Sequence, residues 1–241
     1  MRILICDDYE DLSKQAAKMV ASQIFLKPDS VIGLPTGSTP LGMYAQLSEM
    51  YGAGETDFSS VVTFNLDEYY PIDQADPQSY YSFMNEHFYK KVNLKRENIH
   101  IPNGSARDVA AECSKYDELI EACGGIDLQV LGIGENGHIG FNEPARELND
   151  KTHLIRLTDE TIAANSRFFQ SADEVPCYAL TVGMATIMKA KKIVLLVSGE
   201  AKRAPLKKLL TGKISTDVPA TVLNLHPDAV IITDRETAQI A

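Results

Sequence analysis

The sequence predicts an α/β fold: a doubly wound, mainly parallel sheet with helices on both faces, built from residues 1–241 as a single domain. Three observations predict it. Short apolar runs alternate along the chain with longer amphipathic stretches, the pattern of strand and crossover helix. Runs such as VVTFNL and KIVLLV are apolar throughout rather than alternating, as strands covered on both faces require. No repeat, low-complexity tract or long linker interrupts the alternation, and 241 residues with 44% hydrophobic content can bury a sizeable core. An arrangement of this kind is Rossmann-like.

The strands are expected at Arg2–Cys6, Val31–Leu34, Val61–Leu66, Ile99–Pro102, Leu128–Ile133, His153–Leu157, Tyr178–Val182, Ile193–Val197 and Val230–Thr233. Between them, Asp8–Lys27 places Leu12, Ala16, Met19, Val20 and Ile24 at helical spacing. A second helical pattern follows Pro40 through Leu41, Tyr44 and Leu47. Ala106–Ala122 carries Val109, Ala110, Cys113, Tyr116 and Ile120, and Gly124-Gly125 ends it. Thr158–Phe169 and Gly199–Leu210 are two further helices by the same reading.

Composition excludes several classes of function. The net charge of −10 argues against general nucleic-acid binding, which needs a basic face to displace counterions from phosphates. A few well-placed cations can still hold one small anion. The four cysteines, Cys6, Cys113, Cys123 and Cys177, show no metal-like spacing and are too sparse for a disulfide scaffold, so reduced thiols in the cytoplasm are expected. The longest aliphatic run, Ile193–Val197, is far below the ~20 residues of a membrane helix, and the apolar start of MRILICDD is too short for a signal peptide. His87, His100, His138, His153 and His226 never fall in HxH or HExxH spacing, so no metal is expected.

In doubly wound sheets ligands bind where strands end, so the polar residues that follow each apolar run carry the functional information. Four such places stand out. In VIGLPTGSTP, Gly37 allows a tight turn, and Ser38 or Thr39 can cap the helix that Pro40 begins. Free N–H groups and hydroxyls there make an anion site, although an ordinary capped loop has the same letters. In VVTFNLDEYYP, Asp67 closes what reads as a central strand and is placed to act as a base; it could equally cap a turn, with Glu68 in solvent. In LQVLGIGENGHIGFNEP, Gly132, Gly134 and Gly137 match GxGxxG. A dinucleotide reading is discounted because the motif lies past mid-chain, Pro144 stops any long helix, and no acidic residue closes the next strand. The glycines instead bend the chain so that Asn136, His138 and Glu143 enter one cleft, with His138 able to shuttle protons. Finally, Arg167 and Lys202 are cations near helix ends, and Lys202 in a first turn opposes the helix dipole unless an anion binds there. A small phosphorylated substrate and acid–base chemistry without cofactor, metal or nucleotide follow.

In this order, LPTGSTP, FNLDEY, GIGENGHIGFNEP, ANSRFF and YALTVG resemble the glucosamine-6-phosphate deaminase family, over most of the chain from Val31 through at least Lys202. The segment GHIGFNEP discriminates best, since the related 6-phosphogluconolactonases continue differently after the histidine. The resemblance implies conversion of glucosamine 6-phosphate and water to fructose 6-phosphate and ammonium. It implies that His138 opens the pyranose ring, supported by Glu143 and Asn136, and that Asp67 moves a proton from C2 to C1. It also implies phosphate contacts from Gly37, Ser38, Thr39, Arg167 and Lys202.

Two departures from the pattern matter. Many longer members have an aspartate where this chain has Asn136. Asparagine carries no charge, so the expectation is that its amide oxygen orients the His138 ring while Glu143 supplies the charge. The chain also ends at Ala241 without the extension of the hexameric, allosterically activated members. A monomer or small homo-oligomer without activation by N-acetylglucosamine 6-phosphate is expected. The rival readings are a 6-phosphogluconolactonase, which needs no C2 base, and a sugar-phosphate sensor, which needs no catalytic acids.

Overall fold

The computed structural model describes residues 1–241 except 167, 168, 170, 172, 173, 240 and 241. In chain order the strands are β1 (Arg2–Cys6), β2 (Val31–Leu34), β3 (Val62–Asn65), β4 (Asp67–Tyr70), β5 (Ile99–His100), β6 (Leu128–Gly132), β7 (His153–Arg156), β8 (Tyr178–Thr181), β9 (Lys192–Val197) and β10 (Ala229–Asp234). Seven of them form one sheet in the order β1-β10-β9-β6-β2-β3-β5, with every neighbouring pair parallel. The other three form a small antiparallel sheet, β4-β8-β7.

Side-chain alternation along the parallel strands divides the core into two layers. On one face Ile32, Leu34, Leu128, Val130, Val194, Leu196, Val230 and Ile232 meet helices α1 (Tyr9–Leu26), α2 (Leu41–Gly52) and α3 (Tyr80–His87). On the other, Val31, Leu131, Ile193, Leu195, Val197 and Ile231 meet α4 (Val109–Ala122), α6 (Met184–Met188) and α7 (Arg203–Leu210). The remaining helices are α5 (Asp159–Asn165) and α8 (Arg235–Ala238). The doubly wound expectation therefore holds, and both layers follow from central strands that are apolar on both faces. No helix among the described residues is long and apolar enough to cross a membrane.

Helix starts follow local chemistry. Asp8, Ser79, Asp108, Thr158 and Asp234 each accept, through the side chain, a backbone N–H three residues on. Such caps contribute about 1 kcal/mol each. In α1 the acidic Glu10 and Asp11 also complement the dipole, and Leu12, Ala16, Val20 and Ile24 bury one stripe against the sheet.

Several expectations need correction. The strands expected at His153–Leu157 and Tyr178–Val182 exist but pair antiparallel, outside the main sheet. The strand expected at Val61–Leu66 is not central, since β3 lies next to the edge strand β5. Its end is also a crossover. The Leu66 N–H still bonds to Leu34 in the parallel sheet, whereas its C=O accepts from Val182, and β4 continues in the small sheet. The helix expected at Thr158–Phe169 stops at Asn165. The one expected at Gly199–Leu210 opens as a 3₁₀ turn, Glu200–Lys202, so that Lys202 is the N-cap of α7 rather than a residue of its first turn. Pro40 is the N-cap of α2, and neither Ser38 nor Thr39 caps it by side chain.

One buried ion holds the bases of several strands together. The Asp127 carboxylate, 4% exposed, accepts from the Val31 N–H, Lys27 Nζ and Lys191 Nζ, each at 2.8 Å. Burial works against its ionisation, but the two lysine bonds, the Val31 N–H and the charge of Lys27 together outweigh it and keep the carboxyl below its usual range. The lysine heads reach water, so the main loss on removing the carboxylate is the orphaned Val31 N–H. Asp127→Ala is expected to destabilise the fold by about 1–3 kcal/mol, read as a lower urea midpoint at unchanged slope.

Candidate active site

The cleft opens at the carboxyl ends of β2, β3, β6 and β9. From β2 the chain proceeds to the neighbouring β3, and from β6 it proceeds the other way towards β9. The loops after β2 and β6 diverge at this switch point and leave a crevice, as the topology requires.

The loop after β2 forms one wall. Thr36, Gly37, Ser38 and Thr39 line the cleft ahead of the α2 N-terminus. Gly37 has φ +98°, a left-handed conformation that a side chain would strain. The loop is braced from behind. The Tyr44 hydroxyl donates to the Pro35 carbonyl at 2.5 Å. The Tyr9 hydroxyl accepts the Gly42 N–H at 2.9 Å and lies 3.2 and 3.0 Å from the carbonyls of Ser38 and Thr39. These braces leave a rigid cradle of N–H groups and hydroxyls at a helix start, suited to an anion. Lys202 lines the same cleft. Arg167 lies outside the described residues.

The loop after β6 forms the second wall. It contains no helix between Ile133 and Thr152, as the Pro144 argument requires. His138 is half-buried, and a Cβ on Gly134 would stand 2.4–2.5 Å from three atoms of its ring, so the imidazole lies in space that glycine vacates. His138 Nδ1 is 3.2 Å from Glu143 Oε2, and Asn136 Nδ2 donates to the same oxygen at 2.7 Å. Burial alone would raise the Glu143 carboxyl, but the bond and charge of His138, with Thr161 and Asn136, bring it below its usual range. An anionic Glu143 fixes the tautomer with the proton on Nδ1, leaving Nε2 as the basic nitrogen. The expectation for Asn136 is corrected in part. Its amide oxygen accepts the backbone N–H of His138 at 3.1 Å, not the ring, and its effect on the ring passes through Glu143.

Asp67 lies between the walls, 6% exposed, opposite Thr181 at the first pair of the small sheet. Burial, followed by the charge of Glu68, pushes its carboxyl up to about 8. The phenols of Tyr44, Tyr69, Tyr80 and Tyr116 surround it closely enough for its charge to push each of them further up, above what burial does. Tyr80 stacks on Phe141, with ring centroids 6.1 Å apart and planes at 18°, and together they form part of the cleft wall.

The structure thus brings Asp67, His138, Gly37, Ser38, Thr39 and Lys202 to one cleft, with Glu143 and Asn136 behind His138. Sequence reasoning missed Thr36, Tyr80 and Asn165 in the lining, and the Tyr9 brace. It also left Glu68 open to solvent, whereas the residue is 2% exposed. Thr36 stands inside the motif already singled out. Tyr9 and Tyr80 carry no local signal, because only the tertiary fold brings them to the loop.

The chain is similar to several known proteins over its whole length. Residues 7–232 match the model of the family described as glucosamine-6-phosphate isomerases/6-phosphogluconolactonase. The chain is 58% identical to a glucosamine-6-phosphate deaminase of Halothermothrix orenii, covering 100% of both chains. It is 57% identical to one of Thermoanaerobacter pseudethanolicus, covering 100% of this chain and 95% of that one. A solved structure of a monomeric glucosamine-6-phosphate deaminase superposes with a TM-score of 0.98 at 45% identity, with full coverage of both chains. A 6-phosphogluconolactonase of Thermotoga maritima superposes at 0.77 with 19% identity, over 97% of this chain and 99% of that one, a likeness of fold.

The burial of Asp67 has a cost measurable without substrate. Its carboxyl stands near 3.8 when unfolded and about 8 when folded, so between these values the folded state binds more protons than the unfolded one. Stability contributed at this site is therefore lost as pH rises through that window. Thermal unfolding of Asp67→Asn beside the wild type is expected to show the variant gaining Tm relative to the wild type from pH 5 to pH 8.

Proposed function

Because the chain belongs to the family of glucosamine-6-phosphate isomerases and 6-phosphogluconolactonases, we propose that its cleft converts glucosamine 6-phosphate and water to fructose 6-phosphate and ammonium. The observation that carries the reading is a buried base facing the His138–Glu143 pair across a cleft that ends in an anion cradle.

The phosphate binds Gly37, Ser38 and Thr39 at the α2 start, with Lys202 and Arg167 supplying positive charge. Binding the group that does not react positions the end that does. His138 Nε2 then moves the proton between the anomeric hydroxyl and the ring oxygen, opening the pyranose. Glu143 balances the imidazolium formed in passing, and Asn136 holds Glu143 in place. Asp67 takes the proton from C2 of the open chain, giving an enolamine, and returns it at C1. The resulting ketimine adds water at C2, and the carbinolamine expels ammonia as the ketone forms. A C2 proton is weakly acidic, so a carboxylate whose affinity for protons burial has raised is a better base than one in water.

Asp67 separates this reading from its nearest rival, since opening a lactone requires no carbon base. A sensor would bind the sugar without turning it over. The protein is proposed to act in the cytoplasm, in keeping with four free thiols and a phosphorylated substrate. It is also proposed to act as a monomer, as its solved relative is described.

Ammonium release from glucosamine 6-phosphate, without added metal or nucleotide, tests the reading. The wild type is expected to release it, and Asp67→Asn to lose about 10²–10⁴-fold in kcat. Lys202→Ala should chiefly raise KM. Hydrolysis of 6-phosphogluconolactone by both the wild type and Asp67→Asn, with no ammonium from either, would sink the proposal.

A further inference from the structure

Glu68 is nearly as buried as Asp67, and the chemistry above does not use it. Its carboxylate points away from the cleft and grips backbone. Oε1 accepts the N–H of Tyr69 at 2.9 Å and of Tyr80 at 2.8 Å, and Oε2 accepts the N–H of Tyr81 at 3.1 Å. Tyr80 and Tyr81 are the first two residues of α3, whose amides have no partner within the helix. Ser79 caps the same helix through the Ser82 N–H. The start of α3 is thus clamped by a charge on β4, across a loop containing the exposed Asp73, Gln74 and Asp76.

The clamp meets the cleft in two ways. Tyr80 sits in the clamped turn, stacked on Phe141 and 4.8 Å, centroid to centroid, from Tyr69. Glu68 also adjoins Asp67 in sequence and raises its proton affinity. The other described titratable groups that feel the charge of Asp67 are phenols: Tyr44 of α2, Tyr69 of β4, Tyr80 of α3 and Tyr116 of α4. Burial pushes all four upward, so they stay neutral across the working range. His138 and Lys202 lie elsewhere on the lining. Burial raises the Glu68 carboxyl, the three amides lower it and the charge of Asp76 adds a smaller rise, to about 7.

We propose that Glu68 is a positioning residue for this cleft. Its carboxylate fixes the start of α3, and with it Tyr80, against the strand that carries Asp67, and it holds a negative charge beside that base. The inference rests on Asp67 acting as the C2 base. Two substitutions separate the clamp from the charge. Glu68→Gln is similar in shape but turns an N–H₂ towards one of the three donors and removes the charge. Glu68→Asp keeps the charge but falls a methylene short of α3.

The test is the pH profile of kcat/KM for ammonium release by wild type, Glu68→Gln and Glu68→Asp, with amide hydrogen exchange at Tyr80 and Tyr81. Glu68→Gln is expected to lower kcat about tenfold with little change in KM, and to move the acid limb down by roughly one pH unit, because Asp67 loses its like-charged neighbour. Glu68→Asp should lower kcat similarly and speed exchange at Tyr80 and Tyr81 while leaving the limb in place. A Glu68→Gln protein with lowered Tm but wild-type kcat and acid limb overturns the inference. If Glu68→Gln does not fold, wild-type kcat in Glu68→Asp overturns it equally. No ammonium from the wild type overturns the functional reading and the inference together, whereas an active wild type with indifferent variants overturns the inference alone.

Discussion

A carboxylate at the seam between two sheets is the constraint on which the cleft depends. Leu66 takes its N–H partner from the parallel sheet and gives its C=O to the antiparallel one. The next residue, Asp67, is carried out of water by both sheets at once. A buried acid usually finds a cation or a set of donors. This one is held in its protonated form by burial, followed by the charge of a second acid, Glu68. The fold therefore maintains a group that resists charge at the floor of the cleft. The cost falls on stability and is spread through two well-packed hydrophobic layers.

The two walls divide the work by chemistry. Backbone N–H groups and hydroxyls do not titrate in the working range, so the cradle after β2 keeps its character across pH. The wall after β6 holds His138 and Glu143, and side-chain bonds to one carboxylate oxygen fix their places.

Much of this was legible in sequence because it depends on local chemistry. The strand runs, the helix starts at Asp8 and Thr158, the turn at Gly37 and the cluster Asn136-His138-Glu143 all lie within short windows. What escaped is set by distance along the chain. Nothing in FNLDEYY reveals that one apolar run serves two sheets, because the break at Leu66 needs β8 as a partner from over a hundred residues later. Glu68 reads as solvated because its three N–H partners include two from α3, across a loop. Asn136 reads as a ring partner because spacing does not distinguish a side chain that reaches the imidazole from one that reaches the carboxylate behind it. Tyr9 sits in the first turn of α1, and only the packing of α1 on α2 carries its hydroxyl to the anion loop.

The tyrosines around Asp67 have an optical consequence. The chain has ten tyrosines and no tryptophan, so its near-ultraviolet absorption above about 275 nm and its intrinsic emission come from phenols. Tyr44, Tyr69, Tyr80 and Tyr116 sit in the field of one titrating carboxylate, and Tyr80 also forms part of the cleft wall. A change in that charge, or a sugar displacing water beside Tyr80, alters the local field on these chromophores. The cleft therefore contains its own spectroscopic probe, and its protonation and occupancy are readable in the unlabelled protein.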